Sequence, residues 1–135
     1  MKSIILSSIL LCSSVLAVDG YEVYKNKCSS CHVEMMKKSV ALKNLKKLKA
    51  PPMVEVSNRL KENIIIKDDE DDIHRYLVIL FIKDYVMNPQ LDNSMCHAGA
   101  LERFGTMPSQ KGKLTDPERQ AVAEWIYDRY EDVEF

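Results

Sequence analysis

Cys28-Ser29-Ser30-Cys31-His32 is the stretch from which the rest of the chain is read. Cys-x-x-Cys-His is the attachment pattern of a c-type haem: both thiols form thioethers with the porphyrin vinyl groups, and the histidine becomes an axial iron ligand. The spacing has a chemical reason. Two thiols three positions apart meet two vinyls on one porphyrin edge, and the adjacent imidazole then falls under the iron. Zinc, a redox dithiol and coincidence are the competing readings. Zinc wants about four ligands, so Cys28, Cys31 and His32 would need Cys96 or His97 from far along the chain. A thioredoxin-like dithiol wants a βαβ context, and no strand pattern is present. One covalent haem c is the reading the residues favour.

The N-terminus points to a matching compartment. Lys2 forms a short positive region, Ile4 to Leu16 is apolar apart from Ser and Cys, and Val15-Leu16-Ala17 offers tolerated cleavage residues. This pattern predicts a secretory signal peptide over residues 1–17 and a periplasmic domain over 18–135. The apolar run is short for a membrane span of about 20 residues. A lipoprotein reading through Cys12 is weakened by Leu11, where a small residue is expected. Ile73 to Ile82 is also apolar but short, and His74 and Arg75 interrupt it, so no stable membrane insertion is expected.

The chain has 135 residues, a length suited to one domain, and a net charge of −1, which argues against nucleic acid as a partner. Of its 4 cysteines, Cys12 leaves with the leader and haem takes two. Cys96 remains as an odd thiol in an oxidising compartment. A monomer is expected, with Cys96 packed as a small apolar residue beside the loop carrying Met107; the alternative is a Cys96-linked dimer.

Periodicity predicts an all-α fold. Asp19 caps a first helix through about Lys27. Met35 to Lys49 carries Lys37, Lys38, Lys43, Lys46, Lys47 and Lys49 with no acid among them, and Val40, Leu42, Leu45 and Leu48 give it a partly helical rhythm. Ala50-Pro51-Pro52 stops it. Met53 to about Ile65 reads as a helix with Val54 or Val56 and Leu60 inward. Asp68 to Asp72 supplies the negative charge that a helix N-terminus favours, opening a helix through about Val86 with Ile73, Leu77, Leu80, Phe81 and Tyr85 at helical spacing. Ala98 to Phe104 forms one or two turns. Thr115-Asp116-Pro117-Glu118 is a capping box with proline just inside the last helix, whose inner stripe is Ala121, Val122, Trp125, Ile126 and Tyr130.

The second axial ligand is sought in Phe104-Gly105-Thr106-Met107-Pro108. A thioether sulfur is a soft, neutral donor that raises the potential relative to a second histidine. Met53, Met87, Met95, His74 and His97 are its rivals, and core packing is the commoner fate of a methionine. Phe104 and Leu114 are expected to cover the macrocycle.

At this point the order of motifs resembles the class I c-type cytochromes. Gly20-x-x-x-Tyr24-x-x-x-Cys28-Ser29-Ser30-Cys31-His32 is followed by Gly105-Thr106-Met107-Pro108, then by Leu114-Thr115-x-x-Glu118 and a helix bearing Trp125-Ile126. The likeness covers essentially all of residues 18–135, with the middle matching only in character. It implies a small cytochrome c-like fold around one haem, His32 as proximal and Met107 as distal iron ligand, and Gly20 and Tyr24 where the first and last helices cross. Glycine suits such a crossing because it lets backbones approach closely. Two departures stand out. The family's proline loop soon after the haem histidine is displaced here to Pro51 and Pro52, so a carbonyl near Ala50-Pro51 becomes the candidate acceptor for the imidazole Nδ1–H. Asn93-Ser94-Met95-Cys96-His97 mimics a one-thioether site, but so small a domain has no room for a second haem.

The resemblance implies outer-sphere electron transfer between a donor and an acceptor redox protein, and no enzyme activity, because six-coordinate iron has no vacancy for substrate. The Lys37 to Lys49 stretch either steers an acidic partner or is an ordinary solvated face. The other readings are a five-coordinate haem for gas binding, sensing or peroxidase-type catalysis, and a fixed electron-transfer subunit of a larger oxidoreductase.

Overall fold

The computed structural model describes residues 17–67 and 71–135. Six helices run through them without a strand among the described residues: α1 (Gly20–Lys27), α2 (Lys38–Lys43), α3 (Met53–Asn63), α4 (Asp71–Tyr85), α5 (Ala98–Phe104) and α6 (Asp116–Asp128). Apart from Ala17, the expected leader lies outside the described residues, as do Asp68, Asp69 and Glu70 of the acidic run. No helix among the described residues is long and apolar enough to cross a membrane.

Local chemistry sets the helix starts. The Asp19 carboxylate accepts from the backbone N–H of Tyr21 at 2.8 Å and of Glu22 at 3.3 Å, satisfying donors that α1 cannot pair itself. Pro52 caps α3. At α6 the box is reciprocal: Thr115 N–H donates to Glu118 Oε2 at 2.8 Å, and Thr115 Oγ1 accepts from Glu118 N–H at 3.4 Å.

Helix α6 is the centre of the packing, crossed by α1 and flanked by α4, with α3 touching both α4 and α6. The α1–α6 crossing is close because Gly20 has no side chain. A Cβ there would lie 2.6 Å from Trp125 Cβ and nearer still to the Ala121 carbonyl oxygen. Trp125 then stacks on Tyr24 with ring centroids 4.6 Å apart and leans on Tyr21 at 5.7 Å. Val122, Ala123 and Ile126 carry the buried face of α6, with Tyr130 in the turn just beyond its end, against Val23, Val54, Val78 and Ile82. Buried Ser57 donates to the Ile126 carbonyl at 2.8 Å, so the one polar side chain in that wall is satisfied.

Two expectations are corrected. On α4 the core takes Val78, Ile79 and Ile82, while Ile73, Leu77 and Leu80 are 43%, 37% and 46% exposed. Leu77 to Ile82 is an unbroken apolar run, so every face of the helix there is apolar and periodicity cannot choose among them. Contact with α6 makes the choice. The lysine-rich stretch forms only the six-residue α2, followed by turns, and buries Ala41 while Val40, Leu42 and Leu45 stay exposed. Its lysines have no acid within the segment to form the i,i+4 pairs that support a solvated helix.

Candidate haem site

The Cys28-to-His32 turn continues α1. Cys28 is its C-cap, with N–H bonded to the Tyr24 carbonyl at 2.8 Å. The Cys28 carbonyl in turn accepts from Cys31 N–H at 3.1 Å and His32 N–H at 3.0 Å. The next residues are pinned from three directions. Tyr24 Oη donates to the His32 carbonyl and Tyr130 Oη to the Glu34 carbonyl, each at 2.8 Å. Met53 N–H donates to the Val33 carbonyl at 2.7 Å. Burial pushes the Tyr24 phenol up to about 12, and Glu34 adds to the effect, so Tyr24 stays a neutral donor.

His32 Nδ1 lies 2.8 Å from the Pro51 carbonyl oxygen. A carbonyl only accepts, so Nδ1 carries the proton and Nε2 keeps its lone pair. Burial lowers the His32 pKa, against the opposing pull of the Pro51 bond, and so favours the neutral imidazole that a metal needs. Pro52, at the N-cap of α3, restricts the residue before it to extended backbone, which limits the direction of the Pro51 carbonyl.

The Met107 loop is fixed as firmly. Gly105 ends α5 with φ +68, a left-handed backbone natural to glycine, and its N–H bonds the Leu101 carbonyl at 2.8 Å. Beyond Met107 the loop is tied to the end of α4: Ser109 Oγ donates to the Met87 carbonyl at 2.7 Å and Gln110 N–H to the Val86 carbonyl at 2.8 Å.

One cleft is lined by Cys28, Cys31, His32, Phe104 and Met107 together. Its remaining walls are mainly apolar, with Val56, Leu60, Phe81, Ile82, Val86, Leu114, Val122 and Ile126. Of the rival ligands, Met53, Met95 and His97 also line it, whereas His74 and Met87 do not. His74 is occupied elsewhere, with Nδ1 3.0 Å from Tyr127 Oη and Nε2 3.1 Å from the Lys61 carbonyl. Met53 is 3% exposed in the core cluster and Met95 packs against it, leaving Met107 as the methionine of this cleft on a loop outside that cluster. Cys96 lines the cleft too, half-buried.

The donor set suits haem and does not suit zinc or a reactive dithiol. Burial, reinforced by Cys31, pushes the Cys28 thiol up to about 11, away from the thiolate that disulfide exchange requires. Among the described residues no three His, Cys, Asp or Glu side chains converge on a metal-sized point. A neutral imidazole with a bare Nε2, neutral thioether sulfurs, two thiols and an apolar wall are what a covalently held porphyrin asks for. Sequence reasoning missed Glu55, Arg59 and Tyr85 in the lining. Nothing local marks them, since the cleft forms only when α3 and α4 pack.

The family whose model matches the chain, over residues 16–126, is described as cytochrome c oxidase, cbb3-type, subunit III. An uncharacterised protein of Aquifex aeolicus (strain VF5) is 37% identical over 142 aligned positions, which cover 95% of this chain and 88% of that protein. No solved structure matches the chain.

Proposed function

The chain belongs to the family of cbb3-type cytochrome c oxidase subunit III, and from that membership we propose that it is a periplasmic electron carrier cycling between ferric and ferrous states. Its cofactor is haem c and its function is haem-based electron transfer. When bound, the haem supplies a one-electron redox couple. The chain's own residues hold and tune that couple.

Cys28 and Cys31 are the covalent anchors. His32 Nε2, oriented through Nδ1 by the Pro51 carbonyl, and the Met107 sulfur would hold the iron, and with both bound a small substrate would find no open site. The apolar lining, Phe104 and Leu114 included, excludes water and favours the less charged state. Lys27 and Lys49 line the cleft, and the exposed lysines from Lys37 to Lys49 add positive charge that draws an acidic donor or acceptor toward it.

One observation carries this reading: Cys28, Cys31, His32 and Met107 meet in one cleft, with the tautomer of His32 already fixed at 2.8 Å from Pro51. The test is the intact mass of the protein matured by a cytochrome c assembly system. It should exceed the chain processed after Ala17 by one haem, and the haem should survive acid–acetone extraction; a colourless protein holding stoichiometric zinc would overturn the reading.

Membership of that family also favours a second reading, a fixed subunit of an oxidase. Gentle extraction from native membranes separates the two: a carrier runs alone, and a subunit co-purifies with the complex in constant ratio.

A further inference from the structure

We propose that Glu55 is a redox-linked proton site, which binds a proton as the iron is reduced and gives it up on reoxidation. The inference rests on the haem occupying the cleft described above.

Glu55 is the only acidic side chain lining that cleft among the described residues. It also lines a polar groove on the outer side, with Lys38, Arg59, Lys61, Glu62 and Glu134. One half-buried glutamate therefore borders both the wall of the redox site and a polar groove open to solvent, which gives protons a way in. Its nearest cation on α3, Arg59, is ion-paired instead to Glu62 at 3.3 Å, and Glu55 makes no ion pair among the described residues.

The charges facing Glu55 come from three elements: Arg59 on α3, Lys38 on α2, and His97 before α5. All three favour the carboxylate, yet burial outweighs them and raises its pKa above the ordinary carboxylate range. Such a balance is sensitive to one further charge. His97, at the N-cap of α5, is another titratable side chain lining this cleft.

The step balances simply. One electron arrives from the donor protein, making the cleft one charge more negative. One proton from solvent forms an O–H bond on a Glu55 carboxyl oxygen. Electron departure reverses both. By linkage, a carboxyl that binds protons more tightly in the ferrous protein makes reduction easier at low pH.

The experiment is the midpoint potential against pH for haem-loaded wild type, Glu55→Gln and His97→Asn. Wild type should lose potential as pH rises through a window above the ordinary carboxylate pKa. The limiting slope is a tenfold change in the reduction equilibrium per pH unit, about 59 mV for one electron. Glu55→Gln should be flat in that window with an unchanged haem spectrum, and His97→Asn should keep the slope. A slope that survives in Glu55→Gln, or a wild type flat across the window, overturns the proposal. Redox-difference infrared spectra of unmodified protein with carbon-13-labelled glutamate give an independent readout. A protonated-carboxyl band should grow on reduction, and its absence would overturn the proposal even if the variant fails to fold. Wild-type protein that carries no haem would sink the functional reading itself, whereas a pH-flat potential in haem-loaded protein sinks this inference alone.

Discussion

Replacing Gly20 by alanine strikes the contact that lets α1 cross α6. The added methyl would lie 2.6 Å from Trp125 Cβ, with the Ala121 carbonyl oxygen closer still. Backbone cannot swing aside as a flexible side chain would, so the two helices must separate and loosen the Tyr24–Trp125 stack. Overpacking of this kind costs about 1–3 kcal/mol. The helix-propensity gain of alanine is at most about 1 kcal/mol, and less at the first residue of a helix. A net loss of about 2 kcal/mol is a large share of the ~5–15 kcal/mol that keeps a domain folded. At about 4 °C per kcal/mol for a domain near this length, the melting temperature should fall by roughly 8 °C. Gly99→Ala is the control: its Cβ would meet nothing nearer than His97 Nδ1 at 3.5 Å. That change should be neutral or stabilise by up to about 1 kcal/mol. Guanidinium titrations of the haem-loaded proteins, followed by far-ultraviolet circular dichroism, measure both. Gly20→Ala within about 0.5 kcal/mol of wild type, the range of an inconsequential surface change, would refute the reasoning. So would Gly99→Ala proving the more harmful of the two.

Removing the Tyr24 hydroxyl leaves the His32 carbonyl without its 2.8 Å donor, so Tyr24→Phe should lose about 1–2 kcal/mol at neutral pH in urea unfolding. Burial holds this phenol at about 12, above the ordinary value near 10. The folded protein thus keeps a proton that the unfolded chain releases, and this contribution is full below pH 10 and lost as pH rises from 10 to 12. Unfolding curves at several alkaline pH values should therefore fall less steeply for Tyr24→Phe than for wild type, and equal slopes would refute this. Cys96 is half-buried in the cleft wall; Cys96→Ala should keep the haem spectrum and the potential, and thiol reagents should label the native protein slowly and the unfolded protein quickly. Fast native labelling, or a reductant-sensitive dimer on gels, would mark an exposed thiol instead.

What the sequence makes legible is chemistry held within a few residues. Asp19 and the Thr115–Glu118 box are read directly, because a cap and its partners lie within one turn. Cys28, Cys31 and His32 are legible for the same reason. Met107 needs more: it is marked by its glycine and proline neighbours and by its place before the last helix, and the cleft that gathers it with His32 appears only in the fold. The carbonyl that faces His32 is Pro51's, within the expected Ala50-Pro51 pair but 19 positions from the histidine. The inner face of α4 is illegible because Leu77 to Ile82 is apolar all round. Glu55 is illegible because a glutamate on a polar-looking helix carries no mark of the cleft behind it. Tyr130 is a similar case, since its aromatic ring signals the core while its hydroxyl bond to Glu34 spans 96 positions.

The central claim is that His32 and Met107 hold the haem iron between them, and the near-infrared spectrum of the ferric protein tests it most directly. Unmodified protein should show the weak sulfur-to-iron charge-transfer band, and its ferrous form should not bind carbon monoxide rapidly. Met107→Ala should abolish the band and lower the potential while the covalent haem stays in place. A band that survives in Met107→Ala would move the ligand to Met53 or Met95, and rapid carbon monoxide binding by the unmodified ferrous protein would contradict the six-coordinate carrier altogether.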